Sequence, residues 1–310
     1  MTNTGSKVVD IRAGKETGKL PIKEFRFDMF AKNPAIVMIA KRGSGKSWVI
    51  RAILEYFKNI PAGLIISPTD RMSCFYGKFF PDTYIFYEFS SEIIERVFSR
   101  QRFIIDKQKE KIEKGKNLDP RCFIIMDDCL GNKKAWNHDP VITELLFNGR
   151  HYEIMYILAL QYPLGITPDM RSNFDYIFLL ADDFISNKKK MYDNYAGMFP
   201  SFDSFSQVFQ QLTDDFGSMV IANRGARDSI FEKVYYYKAP DLSNHNNGNY
   251  GCKQFRDYHK NNYNKDWRKK VEKFDPDDYL KNKKKTKGIV LVDKIKNTDE
   301  SDRNKKKKRY

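Results

Sequence analysis

The segment Ala40-Lys41-Arg42-Gly43-Ser44-Gly45-Lys46-Ser47 constrains this chain more than any other. It follows a short, continuously apolar run, Ala35 to Ala40. It precedes an amphipathic stretch, Trp48 to Lys58, with Val49, Ala52, Ile53, Tyr56 and Phe57 at helical spacing. Strand, glycine turn and helix in that order are the setting of a Walker A loop. Gly43 and Gly45 let the backbone curl so that successive N–H groups face a phosphate. The helix opening near Lys46 adds the positive end of its dipole. In such a loop Lys41, Arg42, Gly43, Ser44 and Gly45 wrap the triphosphate of ATP, Lys46 reaches its β- and γ-phosphates, and the Ser47 hydroxyl binds Mg²⁺. The usual pattern begins with Gly where this chain has Ala40. A methyl group fits there if the local φ is negative.

A second signal is Cys122-Phe123-Ile124-Ile125-Met126-Asp127-Asp128, an apolar run that ends in two carboxylates. Acids at the carboxyl end of a buried parallel strand fall beside a phosphate loop. This is the Walker B pattern: Asp127 holds Mg²⁺, and Asp128 is the base that orients and polarises the attacking water.

Further apolar runs without polar alternation lie at Gly63–Ser67, Ile154–Leu160 and Tyr176–Leu180. They read as central strands buried on both faces. Helical patterns separate them: Glu92 to Lys114, which begins apolar and ends charged, and a helix opened by Asp139-Pro140 and running to about Asn148. Alternating strands and helices predict an α/β fold of the P-loop NTPase class, with a mostly parallel central sheet flanked by helices. The run Ile154–Leu160 ends in Gln161, whose amide suits a sensor of the nucleophilic water or the γ-phosphate. A strand ending in such a residue fits the P-loop ATPases that carry an extra strand between Walker A and Walker B, the RecA-like class. The Gly63–Ser67 run fits that arrangement too, since it lies between the two motifs. Gly149-Arg150-His151 stands just before the Gln161 strand. Arg150, or alternatively Arg171, could enter a neighbouring subunit's site and stabilise transition-state charge. Either could equally form an ordinary ion pair.

Three segments are expected: a polar N-terminal arm over residues 1–20, an ATPase domain over 21–240, and a basic extension over 241–310. The extension holds 21 Lys/Arg against 11 Asp/Glu, a net of +10 out of +15 for the whole chain. That composition favours a loosely folded segment that binds polyanions, or a solvated tail or import signal. Its aromatics Tyr250, Phe255, Tyr258, Tyr263 and Trp267 could stack on bases, although an intact duplex exposes few base faces. The four cysteines form no C-x-x-C pair, so they read as reduced thiols of an intracellular protein. No apolar run approaches the roughly 18 residues that a membrane span needs.

Taken in order, A-K-R-G-S-G-K-S, F-I-I-M-D-D, G-R-H-Y-E-I-M-Y-I-L-A-L-Q and M-R-S-N-F-D-Y-I-F-L-L resemble the FtsK–HerA superfamily of DNA-pumping ATPases. More narrowly, they resemble the genome-packaging ATPases of large nucleocytoplasmic DNA viruses. The resemblance spans roughly residues 20–240. It implies a ring of subunits that threads double-stranded DNA into a virion, with capsid or portal proteins as partners. The setting it implies is the viral factory in the host cytoplasm. It assigns nucleotide and metal binding to Lys46 and Ser47, metal and base work to Asp127 and Asp128, sensing to Gln161, and the trans-acting role to Arg150. The superfamily usually has Glu where this chain has Asp128, one methylene shorter. No nuclease signature follows residue 200. A helicase acting on single strands, or a nucleotide-gated scaffold that holds nucleic acid, are the other uses these motifs allow.

Overall fold

The computed structural model describes residues 8–13, 16–129, 139–225, 229–244 and 249–266, with side chains from Leu20 onward. The chain divides into a compact unit, residues 1–263, and a segment 264–310, almost all of which lies outside the described residues.

The expected strands form as β4 (Ala35–Ile39), β5 (Ala62–Ile66), β7 (Cys122–Asp127), β8 (Ile154–Leu160) and β9 (Tyr176–Leu180). Sequence patterning had not singled out β1 (Val8–Ala13), β2 (Glu16–Pro21), β3 (Lys23–Glu24), β6 (Ile85–Phe86), β10 (Gly217–Ala222) or β11 (Val234–Lys238). Among the described residues nine strands make one sheet in the order β3-β11-β10-β9-β4-β8-β7-β5-β6. From β9 to β6 every pairing is parallel; β10 runs antiparallel to both its neighbours. The fold is therefore the expected α/β one, with a mostly parallel central sheet.

The helices are α1 (Lys46–Tyr56), α2 (Asp70–Ser73), α3 (Ser91–Glu113), α4 (Pro140–Asn148), α5 (Pro168–Arg171), α6 (Ile185–Tyr195), α7 (Phe202–Leu212), α8 (Ile230–Lys233) and α9 (Lys253–Asn262). They cover both faces of the sheet, which is why its strands are apolar without alternation. On β7, Cys122, Ile124 and Met126 join the core layer under α3, α4, α6 and α7, while Phe123 and Ile125 join the layer under α1 and α9. The period-2 geometry of a strand thus sends alternate residues to opposite layers. Asp139 caps α4 as its sequence suggested, its carboxylate accepting from the N–H groups of Val141 and Ile142. Gln101 fixes the buried half of α3: its amide donates to the Pro120 and Tyr152 carbonyls at 2.9 and 2.7 Å. Beyond Gln101 the helix is largely exposed and charged.

The structure corrects three expectations. First, the strand that lies between the two nucleotide motifs in the sheet is β8, not the Gly63–Ser67 strand. β8 pairs with β4 on one side and β7 on the other, and β5 pairs with β7 on its far side. Second, the compact unit does not stop at 240. Leu242, Tyr250 and Phe255 are buried in the α1 layer, so burying apolar surface extends the unit to Tyr263. Tyr250 also donates to Glu55, and Tyr263 to Asp82. Three of the five aromatics proposed for base stacking are therefore structural; Trp267 lies outside the described residues. Third, residues 8–13 and 16–21 of the expected arm pair as an antiparallel ribbon.

All four cysteines are free thiols. Among the described residues no helix is long and apolar enough to cross a membrane.

Gly63 sits opposite Phe123 in the β5–β7 ladder, and a Cβ there would come within 2.4 Å of the Phe123 ring. Gly63→Ala is therefore expected to destabilise the fold by about 1–3 kcal/mol, as overpacking does. In denaturant unfolding, Phe123→Leu should recover part of that loss in the double variant.

Candidate functional site

The parallel strands β4, β7 and β8 end on the same edge of the sheet, and the candidate site is built on that edge. After β4 the chain enters the glycine turn. Gly43 and Gly45 have φ of 79° and 93°, values that residues with a Cβ rarely adopt. Ala40 does not have positive φ, which is why a methyl is accommodated where the common pattern has Gly. The turn is closed internally: the Ser44 hydroxyl donates to the Lys41 carbonyl at 2.7 Å. The Gly45 carbonyl accepts from the N–H groups of Trp48 and Val49 at 3.0 and 3.2 Å, so α1 begins at once.

Lys46, on the first turn of α1, carries its ammonium across to the end of β7. Its Nζ lies 2.8 Å from Asp127 Oδ1 and 4.0 Å from Asp128 Oδ1. Alternation along β7 explains why Asp127 is reached: it continues the Phe123, Ile125 series toward the α1 layer. Asp127 is only 3% exposed. The next residue on a regular strand would point the other way. Asp128 instead leaves strand geometry with φ of 62°, a conformation that Asp adopts more readily than most residues. The left-handed residue brings both carboxylates into one cavity. It also offers a physical account of a short Asp where the superfamily usually has Glu: the backbone re-aims the side chain. Gln161, the residue after β8, donates its amide to both oxygens of Asp128.

Tyr76 is part of this site and was not found in the sequence. Its hydroxyl donates to Asp127 Oδ2 at 2.8 Å, from a ring that is fully buried. Burial, and after it the charge of Asp127, hold the phenol's pKa well above its ordinary value, so it stays a donor. Asp70 seats it: the buried carboxylate accepts from the Tyr76 N–H at 2.9 Å. No local pattern announces such a residue, because its partner lies 51 positions away. Cys129, beside the acids, has its thiol pushed up to about 12 by burial and then by Asp127 and Asp128, so it is no nucleophile here.

The cavity has a volume of roughly 870 Å³ and is fronted by the glycine turn, Lys46, Ser47, Asp127, Asp128 and Gln161. Phe216 and residues 238–241 and 243 also line it. Asp127 Oδ1 is buried and accepts no aligned hydrogen bond among the described residues. That oxygen and Ser47 front the same space, which fits a Mg²⁺ ion. Magnesium takes one or two protein oxygens and fills its octahedron with phosphate and water. No cluster of three or more His, Cys, Asp or Glu forms a metal cage among the described residues, and such an ion needs none.

The remaining sequence candidates separate. Arg42 is exposed at the cavity. Lys41 pairs with Asp183 and lies over the Phe184 ring, so its carbonyl shapes the turn while its side chain is engaged elsewhere. Arg171 is held within its own chain: it donates to the Ile166 carbonyl and to Asn194 and lies over Tyr195. Arg150 is exposed, in the turn before β8 at the opposite edge of the sheet from Gln161. It is therefore remote from its own chain's phosphate loop.

No protein-family model matches the chain. It is 49% identical over 249 residues to the uncharacterized protein L437 of Acanthamoeba polyphaga mimivirus, covering 80% of this chain and 86% of that one. It is 33% identical over 253 residues to the uncharacterized protein 088R of Invertebrate iridescent virus 3, covering 77% and 93%. Among solved structures it is similar to the genome packaging NTPase B204 from Sulfolobus turreted icosahedral virus 2. That match has a TM-score of 0.47 and 15% identity, over 68% of this chain and 99% of the other. By its glycine turn, acidic strand end and sheet order the chain has a P-loop NTPase fold, and by sequence it belongs to the family of viral proteins that includes L437 and 088R.

Proposed function

We propose that this chain hydrolyses ATP with Mg²⁺ and uses the energy to translocate double-stranded DNA, packaging a viral genome into the virion as an oligomeric ring. The observation that carries the catalytic part is the convergence of Lys46, Asp127, Asp128 and Gln161 from three strand ends on one cavity. Kinship with proteins of large DNA viruses and a formal net charge of +15 support the nucleic-acid part. The superfamily resemblance supports translocation in particular.

Lys46 counters the charge of Asp127, and Tyr76 donates to its Oδ2. A triphosphate in the glycine turn offers Lys46 a second anionic partner, while the backbone N–H groups and the start of α1 hold the phosphate oxygens. Ser47 and Asp127 would hold Mg²⁺, which when bound neutralises charge on the β- and γ-phosphates. Asp128 orients the attacking water and accepts its proton. Gln161 fixes the Asp128 carboxylate, and its position lets it exchange that bond for one to the water or the γ-phosphate. Little covalent work falls to the protein; the gain comes from positioning and fixed charge. Arg150, exposed and far from its own loop, is the better placed of the two arginines to act on a neighbouring subunit, since Arg171 is engaged internally. Capsid or portal proteins would complete the machine, in the viral factory and the virion.

Asp128→Asn should still bind Mg²⁺–ATP but slow turnover by about 10²–10⁴-fold, the range for loss of a general base. Normal function of that variant despite its lost turnover would point instead to a nucleotide-gated scaffold. Turnover of the wild type is expected to rise with duplex DNA, and the protein to assemble on it. A protein that ignores DNA and stays monomeric contradicts translocation, and strand displacement with a single-strand preference would replace it with a helicase. Deleting residues 281–310 should weaken duplex affinity at low salt and flatten its salt dependence, because fewer counterions are released. Unchanged affinity would remove the tail from DNA binding.

A further inference from the structure

The cavity does not end at the phosphate loop. Its lining also includes Phe216 and residues of the segment that follows β11, which the catalytic reading does not use. Phe216 is 61% exposed and lines the cavity. It makes no ring contact with another described aromatic, whereas the other two cavity aromatics, Trp48 and Phe75, pack against each other with centroids 6.0 Å apart.

The backbone holds this ring out deliberately. Asp215 and Phe216 both have positive φ, 49° and 59°, a conformation that side chains disfavour and that a bulky Phe adopts rarely. The turn has little freedom to relax. A Cβ on Gly217 would lie 2.3 Å from the Leu212 carbonyl oxygen, so the chain there is pressed against the end of α7. Thr213 is anchored on the other side, its hydroxyl donating to Phe209 O at 2.8 Å. Lys238, at the end of β11, pairs with Asp215 and ties the turn to the facing wall. That wall is fixed in its own right, because Asp241 accepts from the Ser243 N–H at 2.8 Å. The ring is close to the phosphate loop: a Cβ on Gly45 would lie 3.5 Å from Phe216 Cβ and 3.6 Å from its Cδ1.

We infer that Phe216 and the facing Lys238–Ser243 segment form the nucleobase seat of this site, with the base stacked on the Phe216 ring. The inference rests on the triphosphate reading of the glycine turn. A flat aromatic face, apolar Ala239 and Pro240, and polar Lys238, Asp241 and Ser243 in the lining of the same cavity suit a heteroaromatic base with hydrogen-bonding edges. Stacking tolerates any base, since every base has a π-face. The seat therefore adds affinity for nucleoside triphosphates over inorganic triphosphate, and it depends on the ring more than on any one polar group.

The experiment compares two probes, Mg²⁺–ATPγS and Mg²⁺–tripolyphosphate, by titration calorimetry on the full chain and on Phe216→Ala and Phe216→Trp. An exposed ring can be truncated without opening the core, and the Trp variant keeps a stacking face. Phe216→Ala is expected to weaken ATPγS by about tenfold or more, the scale of one lost base stack, while tripolyphosphate stays within about twofold. Phe216→Trp is expected to bind ATPγS like the wild type. Parallel loss of both probes, or no loss of either, overturns the seat while leaving the phosphate site standing. A wild type that binds neither probe overturns the phosphate reading itself.

Discussion

Lys46 meets Asp127 although a whole strand separates the strands that carry them. The contact depends on three parallel strands in fixed register: Met38 pairs with Ala159, and Ala159 with Asp127. Slide β8 by one residue and each of its own side chains faces the wrong layer, so register is enforced by the two buried faces of the sheet and not by the site. The edge that carries the candidate site is in this sense a by-product of core packing. The acids stand where they do because Phe123, Ile124, Ile125 and Met126 are each committed to one apolar layer or the other.

The site then departs from regular structure at the points where function requires it. Gly43, Gly45, Asp128 and Phe216 all have positive φ, and all four front one cavity. Local strain of this kind persists only where the surroundings over-determine it. Here those surroundings are identifiable: α1 starting directly from Gly45, the Asp128 N–H bonded to the Ala159 carbonyl at 3.3 Å, and the crowded Gly217. A buried carboxylate such as Asp127 would be costly alone. Lys46 and Tyr76 make it tolerable, and the same oxygens stay available to a bound cation.

Much of this was legible in the sequence, and the pattern of what was not has a physical cause. β4, β5, β7, β8 and β9, the α1 turn and the Asp139 cap are encoded contiguously, by apolar runs and by turn and capping residues. Lys46, Ser47, Asp127, Asp128 and Gln161, which line one cavity, could be named as candidates because each ends or begins such a run. The position of β5 in the sheet was not, because a strand's neighbours are chosen by crossovers and not by its own residues. Tyr76 opens a single 3-10 turn after α2, and Phe216 ends a kinked one after α7, each too short for periodicity to operate. β11 reads Val-Tyr-Tyr-Tyr-Lys, mostly buried but neither alternating nor aliphatic, so its pattern is weak. Composition misled for Tyr250 and Phe255: a lysine-rich neighbourhood suggested a solvated tail, yet their rings complete the α1 layer.

The account stands on a triphosphate seated in the turn between Gly43 and Ser47, with a divalent ion beside Asp127. Calorimetric titration of ATP into the folded protein, with Mg²⁺ and then with EDTA, tests that claim most directly. Saturable binding that strengthens in magnesium and is abolished by Lys46→Ala is the predicted result. A folded protein that fails to bind ATP in magnesium would contradict the account.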